Sequence, residues 1–353
     1  MMTKRSRRTV LCGSAGLLAL SAGCLSDAGL SDDGNGDEND PGAGGNGDEN
    51  DDPEESTGKT SIDDVAFGFT AGPGAAPSGT LFASDGVATS WLEAHGLEDD
   101  QLTEFVAETD FENAAVVALE ADAPTPCHEL ALETTDLEGA DEDAALEITA
   151  EVRADDADDA MGCAQVESVV GRLVRAPIDA DATVSVTITD RDGDERAFEI
   201  DGAADGSFDV TETIDAAQFE YGTVPTEPDG ALLSAADRTL EWLGDRDLDD
   251  EYADFVDATD FESADVVALE ADAPTRCYEL VLEAASLDGR GALDLEAAVS
   301  DESTEDELCG EAEQTVGLLV RTPVASDSVS ATLTDRDGDD HSIELSADDA
   351  TDA

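Results

Sequence analysis

Basic residues are scarce in this chain. Lys and Arg together number 16 of 353 residues, against 89 Asp and Glu, and the formal net charge is −73. Only Lys4 and Lys59 are lysines. With no basic surface to neutralise phosphates and release counterions, a nucleic-acid binder is excluded. Long apolar runs are missing too. No stretch of the chain reaches the roughly 18 apolar residues that read as a membrane-spanning helix, which excludes a polytopic helical membrane protein. There is no Asn-x-Ser/Thr sequon, no Cys-x-x-Cys pair and no Gly-x-Ser-x-Gly. Standard N-glycosylation, the usual zinc and redox cysteine spacings, and the nucleophile elbow of a serine hydrolase therefore have no support. No cofactor is expected.

What is abundant is negative charge. At low ionic strength such a chain repels itself, whereas at about 1 M salt the Debye length shrinks to roughly 3 Å and most of the repulsion is screened. Short carboxylates and few lysine stems hold water at the surface and expose little apolar length. The composition resembles that of proteins from extremely halophilic archaea, and it predicts a chain that folds in molar salt.

The first residues read as an address. Lys4, Arg5, Arg7 and Arg8 precede a short apolar stretch, 10–20, too short to span a bilayer. Arg7-Arg8 within SRRTVL resembles a twin-arginine export signal. The segment closes on LSAGC, which resembles a lipobox whose Cys24 becomes lipid-modified after cleavage. The expected order is a signal peptide over 1–23, then an acidic, Gly-rich disordered tether over 24–61, in which NGDENDP nearly recurs. The expected location is the extracytoplasmic face of the membrane, anchored to lipid through Cys24.

The strongest internal signal is a duplication. Residues 109–133 and 259–283 are identical at 20 of 25 positions with an offset of 150. Upstream, Trp91 matches Trp242. Downstream, VGRLVRAP matches VGLLVRTP, and TITDRDGDE matches TLTDRDGDD. The repeats are expected over 62–203 and 214–347.

In repeat one, acidic starts and helical apolar spacing predict helices over 84–94 and 99–108, with Trp91, Leu92, Leu102, Phe105 and Val106 inward. Alternating or continuous apolar runs predict strands over 114–120, 128–133, 145–153, 166–175, 183–189 and 196–200. Asp192-Gly193 signals a hairpin between the last two. The fold class this predicts is mainly β (α+β), two tandem antiparallel β-sandwich-like repeats, each preceded by short helices.

Four cysteines remain beyond Cys12 and Cys24, and three connectivities are open to them. The symmetry of the duplication selects Cys127–Cys163 and Cys277–Cys309. The alternatives are a four-thiolate zinc site or a redox pair.

Taken in order, W, then TDF, VVALEADAPT-x-C-[H/Y]-E-L, LVR-x-P and TDRDG, each repeat resembles the protease-complex (PrcB-type) C-terminal domain. Pro274-Thr275-Arg276-Cys277-Tyr278 stands where that family has a Pro-Thr-Gly-Gly-Tyr turn, and His128 stands at the tyrosine position of repeat one. The resemblance implies a β-rich, non-catalytic binding domain associated with extracytoplasmic proteolysis.

Chemistry-bearing patterns are few. His95, His128 and His341 have no histidine at the matching place in the other repeat. The acidic hairpins offer Asp190, Asp192 and Asp194, and again Asp335, Asp337 and Asp339, as oxygen ligands for calcium. Their glycine comes before the third aspartate, earlier than in an EF-hand loop, and Arg191 and Arg336 lie within the clusters, so a solvated turn is the plainer reading. Two function classes remain. One is a lipid-anchored binding or scaffold protein with a protein partner in the envelope. The other is an envelope hydrolase or metal-dependent enzyme. A single pocket holding a perturbed His or carboxylate in one repeat would favour the enzyme.

Overall fold

The structure is a computed structural model that describes residues 62–70, 77–97, 99–138, 145–154, 163–164, 166–204, 206–222, 227–301, 309, 312–326 and 328–347. The expected export signal over 1–23, Cys24 and the expected tether over 24–61 lie outside the described residues.

Repeat one contributes β1 (Asp63–Phe69), β2 (Ser78–Phe82), α1 (Asp85–Ala94), α2 (Asp100–Ala107), β3 (Ala115–Ala123), β4 (His128–Glu138), β5 (Ala145–Ala154), β6 (Ser168–Ala176), β7 (Thr183–Thr189) and β8 (Glu195–Asp201). A short strand, β9 (Ser207–Asp209), follows. Repeat two runs through β10 (Asp215–Tyr221), β11 (Asp229–Leu233), α3 (Ala236–Gly244), α4 (Asp249–Asp257), β12 (Val266–Ala273), β13 (Tyr278–Asp288), β14 (Leu293–Asp301), β15 (Gln314–Arg321), β16 (Ser328–Thr334) and β17 (Asp340–Ser346). The chain is thus mainly β.

The helices start where their caps dictate. The Ser84 hydroxyl accepts from the Val87 N–H, and the Asp99 carboxylate accepts from the Gln101 N–H at 2.9 Å. Among the described residues the strands form four sheets, ordered β1-β6-β3-β2, β4-β5-β7-β8, β10-β15-β12-β11 and β17-β16-β14-β13-β9.

Two expectations are corrected. The helices do not lead each repeat, because β1 and β2, and likewise β10 and β11, come before them as the edges of the first sheet. Nor are the sheets wholly antiparallel, since β5 runs parallel to β7 and β14 parallel to β16. The intervening strand, β6 or β15, pairs in the other sheet, so the chain crosses over and returns in the same direction.

The continuous apolar run of β3 has a physical reason: both its faces are covered. Val116 and Ala118 join the cluster of Trp91, Leu92, Leu102 and Val106 from the helices. Val117, Leu119 and Ala121 join Leu130, Ile148 and Val186 of the second sheet. Opposite this strand, Phe67 pairs with Gly171 and Phe219 with Gly317. A Cβ on either glycine would run into the phenylalanine ring, which explains VG-x-LVR in both repeats.

The described residues fall in one compact unit, and the repeats share a seam. Phe82 and Val87 of repeat one fall in the same core cluster as Phe208, Leu287 and Val324. The Ala83 N–H donates to Gly289 O at 3.0 Å, and Arg290 pairs with Asp181. A side chain at Gly289 would overlap Leu81 O and Ala203 O. We expect Gly289→Val to part the seam, lowering the urea midpoint by the equivalent of about 1–3 kcal/mol, the usual range for overpacking. An unchanged midpoint would mean the repeats stand independently.

Candidate functional site

The DRDGD segments are tight hairpin turns that use their own carboxylates. Asp190 Oδ1 accepts from the N–H groups of Asp192 and Asp194, at 2.9 and 3.0 Å, and Asp335 Oδ1 does the same for Asp337 and Asp339. Gly193 and Gly338 supply the left-handed residue, with φ of 83° and 84°. The second oxygen of each leading aspartate faces a basic group at matching places: Arg196 Nε lies 3.8 Å from Asp190, and His341 Nε2 donates to Asp335 at 2.8 Å. The His341 hydrogen bond, then the turn N–H groups, hold the Asp335 carboxyl below the usual range. Its contribution to stability is therefore present above the unfolded carboxylate value and lost as pH falls through the folded one. Among the described residues no group of three His, Cys, Asp or Glu side chains could hold a metal ion.

Cys127 pairs with Cys163 and Cys277 with Cys309, with Cα atoms 6.0 and 5.6 Å apart. Each disulfide ties the start of the second sheet, just before β4 or β13, to the segment before β6 or β15. The arginine of LVR-x-P is structural. Arg175 pairs with Asp63 at 3.0 Å over the Phe105 ring, and Arg321 pairs with Asp215 at 2.7 Å over Phe255.

The informative site lies elsewhere, where the duplication has been kept in one repeat and altered in the other. Glu270 on β12 is 4% exposed. Its Oε1 accepts from Arg246 Nε and from the Tyr221 hydroxyl, both at 2.7 Å, and its Oε2 accepts from Arg246 Nη2 at 3.0 Å. Arg246 lies one turn after Trp242, with its guanidinium 3.7 Å from the centre of that ring. Burial, reinforced by Glu270, pushes the Tyr221 hydroxyl up and keeps it a donor. This acid has every partner it needs.

In repeat one the same acid is Glu120 on β3. Phe69 stands in place of Tyr221 and offers no hydroxyl, and His95 stands in place of Arg246, again one turn after the tryptophan. His95 Nδ1 is 2.8 Å from Trp91 O and must donate to it, since a carbonyl only accepts. That leaves Nε2 facing Glu120 Oε1 at 3.9 Å, too far for a hydrogen bond. The Ser78 hydroxyl donates weakly to Glu120 Oε2 at 3.4 Å. Burial pushes the Glu120 carboxyl up from 4.5, opposed by His95 and the Ser78 hydrogen bond.

Around this pair opens a cavity of about 490 Å³. Ser78, Thr80, His95 and Glu120 line it, together with Trp91, Phe208, and Asp209 and Glu212 from the segment that joins the repeats. Sequence reasoning noticed that the histidines have no histidine counterparts but did not connect His95 with Glu120. The signal was present as two linked exchanges, Tyr221 to Phe69 and Arg246 to His95, around a glutamate common to both repeats.

Comparison with known proteins finds no family model, curated protein or solved structure similar to this chain.

Proposed function

We propose that this chain is a non-catalytic, lipid-anchored binding protein on the extracytoplasmic face of a cell that lives in molar salt. Membrane lipid holds it through Cys24, and a protein partner in the envelope docks on repeat one. In this reading each repeat is a β-sandwich: in repeat two the acid at Glu270 is closed off by its own partners, and in repeat one the acid at Glu120 faces a cavity. The single observation that carries it is the contrast between Glu270, bonded through both oxygens, and Glu120, which keeps an open cavity before it. Three carboxylates, Glu120, Asp209 and Glu212, face that cavity beside Trp91 and Phe208, so the group it takes is a basic side chain of the partner with an apolar stem. The resemblance to the PrcB-type domain supports a partner among envelope proteolysis components.

A second reading, a hydrolase with Glu120 as general acid, is favoured by the raised carboxyl. It lacks a well-primed nucleophile, because the Ser78 hydroxyl donates to Glu120 only at 3.4 Å and the Nδ1–H of His95 is tied to Trp91 O.

The test installs the chemistry of repeat two in repeat one. Phe69→Tyr with His95→Arg is expected to fill the cavity, raise the thermal midpoint and abolish retention of the partner on washed native membranes in molar KCl. Unchanged retention would overturn the assignment. Turnover of chromogenic esters or peptides by the parent protein, lost in Glu120→Gln, would favour the hydrolase.

A further inference from the structure

The geometry points to a second docking surface, on the outer edge of β4 around Thr135, Asp136 and Leu137, which accepts an extended segment of a partner protein as an added antiparallel strand. Repeat two shows how such an edge is filled. There β9 pairs with the end of β13, setting Phe208 opposite Leu287 and Asp209 opposite Ser286. The next residues complete the seal: the Val210 N–H donates to Ala285 O at 2.9 Å, and the Ala285 N–H donates to the Thr211 hydroxyl at 2.8 Å. Leu287 is fully buried, at 0% exposure, beside Phe208 of β9 and within the seam cluster that includes Phe82 and Val87.

Among the described residues no strand pairs with the corresponding edge in repeat one, where the sheet ends at β4; residues 55–57, which match β9 in the duplication, lie outside the described residues. Leu137, equivalent to Leu287, is 39% exposed. The two edges share their orientation. Both strands carry a bulge at the same place, between Leu132 and Thr134 and between Leu282 and Ala284. Thr135 and Leu137 therefore turn their main-chain groups outward as Ala285 and Leu287 do. Strand addition satisfies those groups, and a pocket or apolar neighbour selects the side chain.

The occupant's chemistry follows from the register. It needs an aromatic or large aliphatic residue over Leu137, as Phe208 sits over Leu287. It differs from β9 at one position. Opposite Asp136 an aspartate would be repelled where Asp209 tolerates Ser286, so the partner carries Lys or Arg there.

A direct probe is the peptide of residues 206–213 carrying Asp209→Lys, titrated onto the whole protein in molar KCl while amide exchange is followed. Binding is expected to slow exchange at Thr135 and Leu137, and to be about tenfold tighter than for the same peptide with Phe208→Ala, from the apolar area lost. Leu137→Lys should abolish it. So should Thr135→Pro, which removes an outward N–H and leaves the inward ladder with β5. The proposal falls if the peptide does not bind, if it binds both variants equally, or if Thr135 and Leu137 already exchange as slowly as Ala285 and Leu287. Self-association of the parent that Leu137→Lys disperses would make the occupant a second copy and overturn the partner assignment. Binding here is independent of Phe69→Tyr with His95→Arg, so the two surfaces can fail separately.

Discussion

Arg246→Ala is expected to destabilise the protein by about 3 kcal/mol, the low end of the range for breaking a buried ion pair. The low end applies because the arginine keeps 23% of its side-chain surface while Glu270 keeps only 6%. The loss strands a buried carboxylate that retains one hydroxyl donor, Tyr221, and takes away the guanidinium packed on Trp242. His95→Ala, at the matching place in repeat one, is expected to shift stability by about 1 kcal/mol or less. Its contact with Glu120 is 3.9 Å, too far for a hydrogen bond, so its loss takes no hydrogen bond from the carboxylate. Urea midpoints in constant molar KCl measure both. Equal losses would mean that the two sites are chemically alike and that repeat one has no special opening.

The larger effect is expected from salt. With 89 acidic and 16 basic residues, most carboxylates have no cation to face, and screening by solution ions is what holds the surface together. Near 0.01 M the Debye length is about 30 Å and like charges across a whole repeat repel. A domain stability of about 5–15 kcal/mol is small against that summed repulsion. The disulfides act chiefly on the unfolded chain and do not relieve it. Near-UV circular dichroism should therefore be native in molar KCl, with blue emission from Trp91, which is 1% exposed. Both signals should be lost on dialysis to tens of millimolar salt. Magnesium and calcium at millimolar levels should restore them partly and equally, because the leading aspartate of each DRDGD turn already spends its oxygens on turn N–H groups and a basic side chain. A steep calcium-selective recovery, abolished by Asp192→Asn or Asp337→Asn, would make the turns metal sites.

Much of the frame was legible in the residues. Apolar alternation located β3 to β8, and Ser84 and Asp99 marked the helix starts because capping is local chemistry. Duplication symmetry paired the cysteines. What escaped was set by distant neighbours. The strand β1 alternates correctly, but its Phe67 gains meaning only over Gly171, 104 residues on. The parallel pairing of β5 with β7 follows from β6 leaving for the other sheet, which no local pattern records. The brief strand β9 looks like linker until Leu287 lies beside Phe208. The cavity likewise needed Ser78, His95, Glu120 and Asp209, from four places in the chain, to meet.

The central claim is that repeat one keeps a half-buried acid without its full set of partners, facing a cavity. Carboxyl-carbon NMR titration of Glu120 in molar KCl tests it most directly. With the folded value raised by burial above 4.5, the native state takes up this proton before the unfolded chain does, so the stability deficit from Glu120 is present at high pH and relieved as pH falls towards 4.5. The account predicts a midpoint above 4.5 in the parent protein that drops once Phe69→Tyr and His95→Arg supply the missing donors. A midpoint at or below 4.5 in the parent, unmoved by the double substitution, would contradict it.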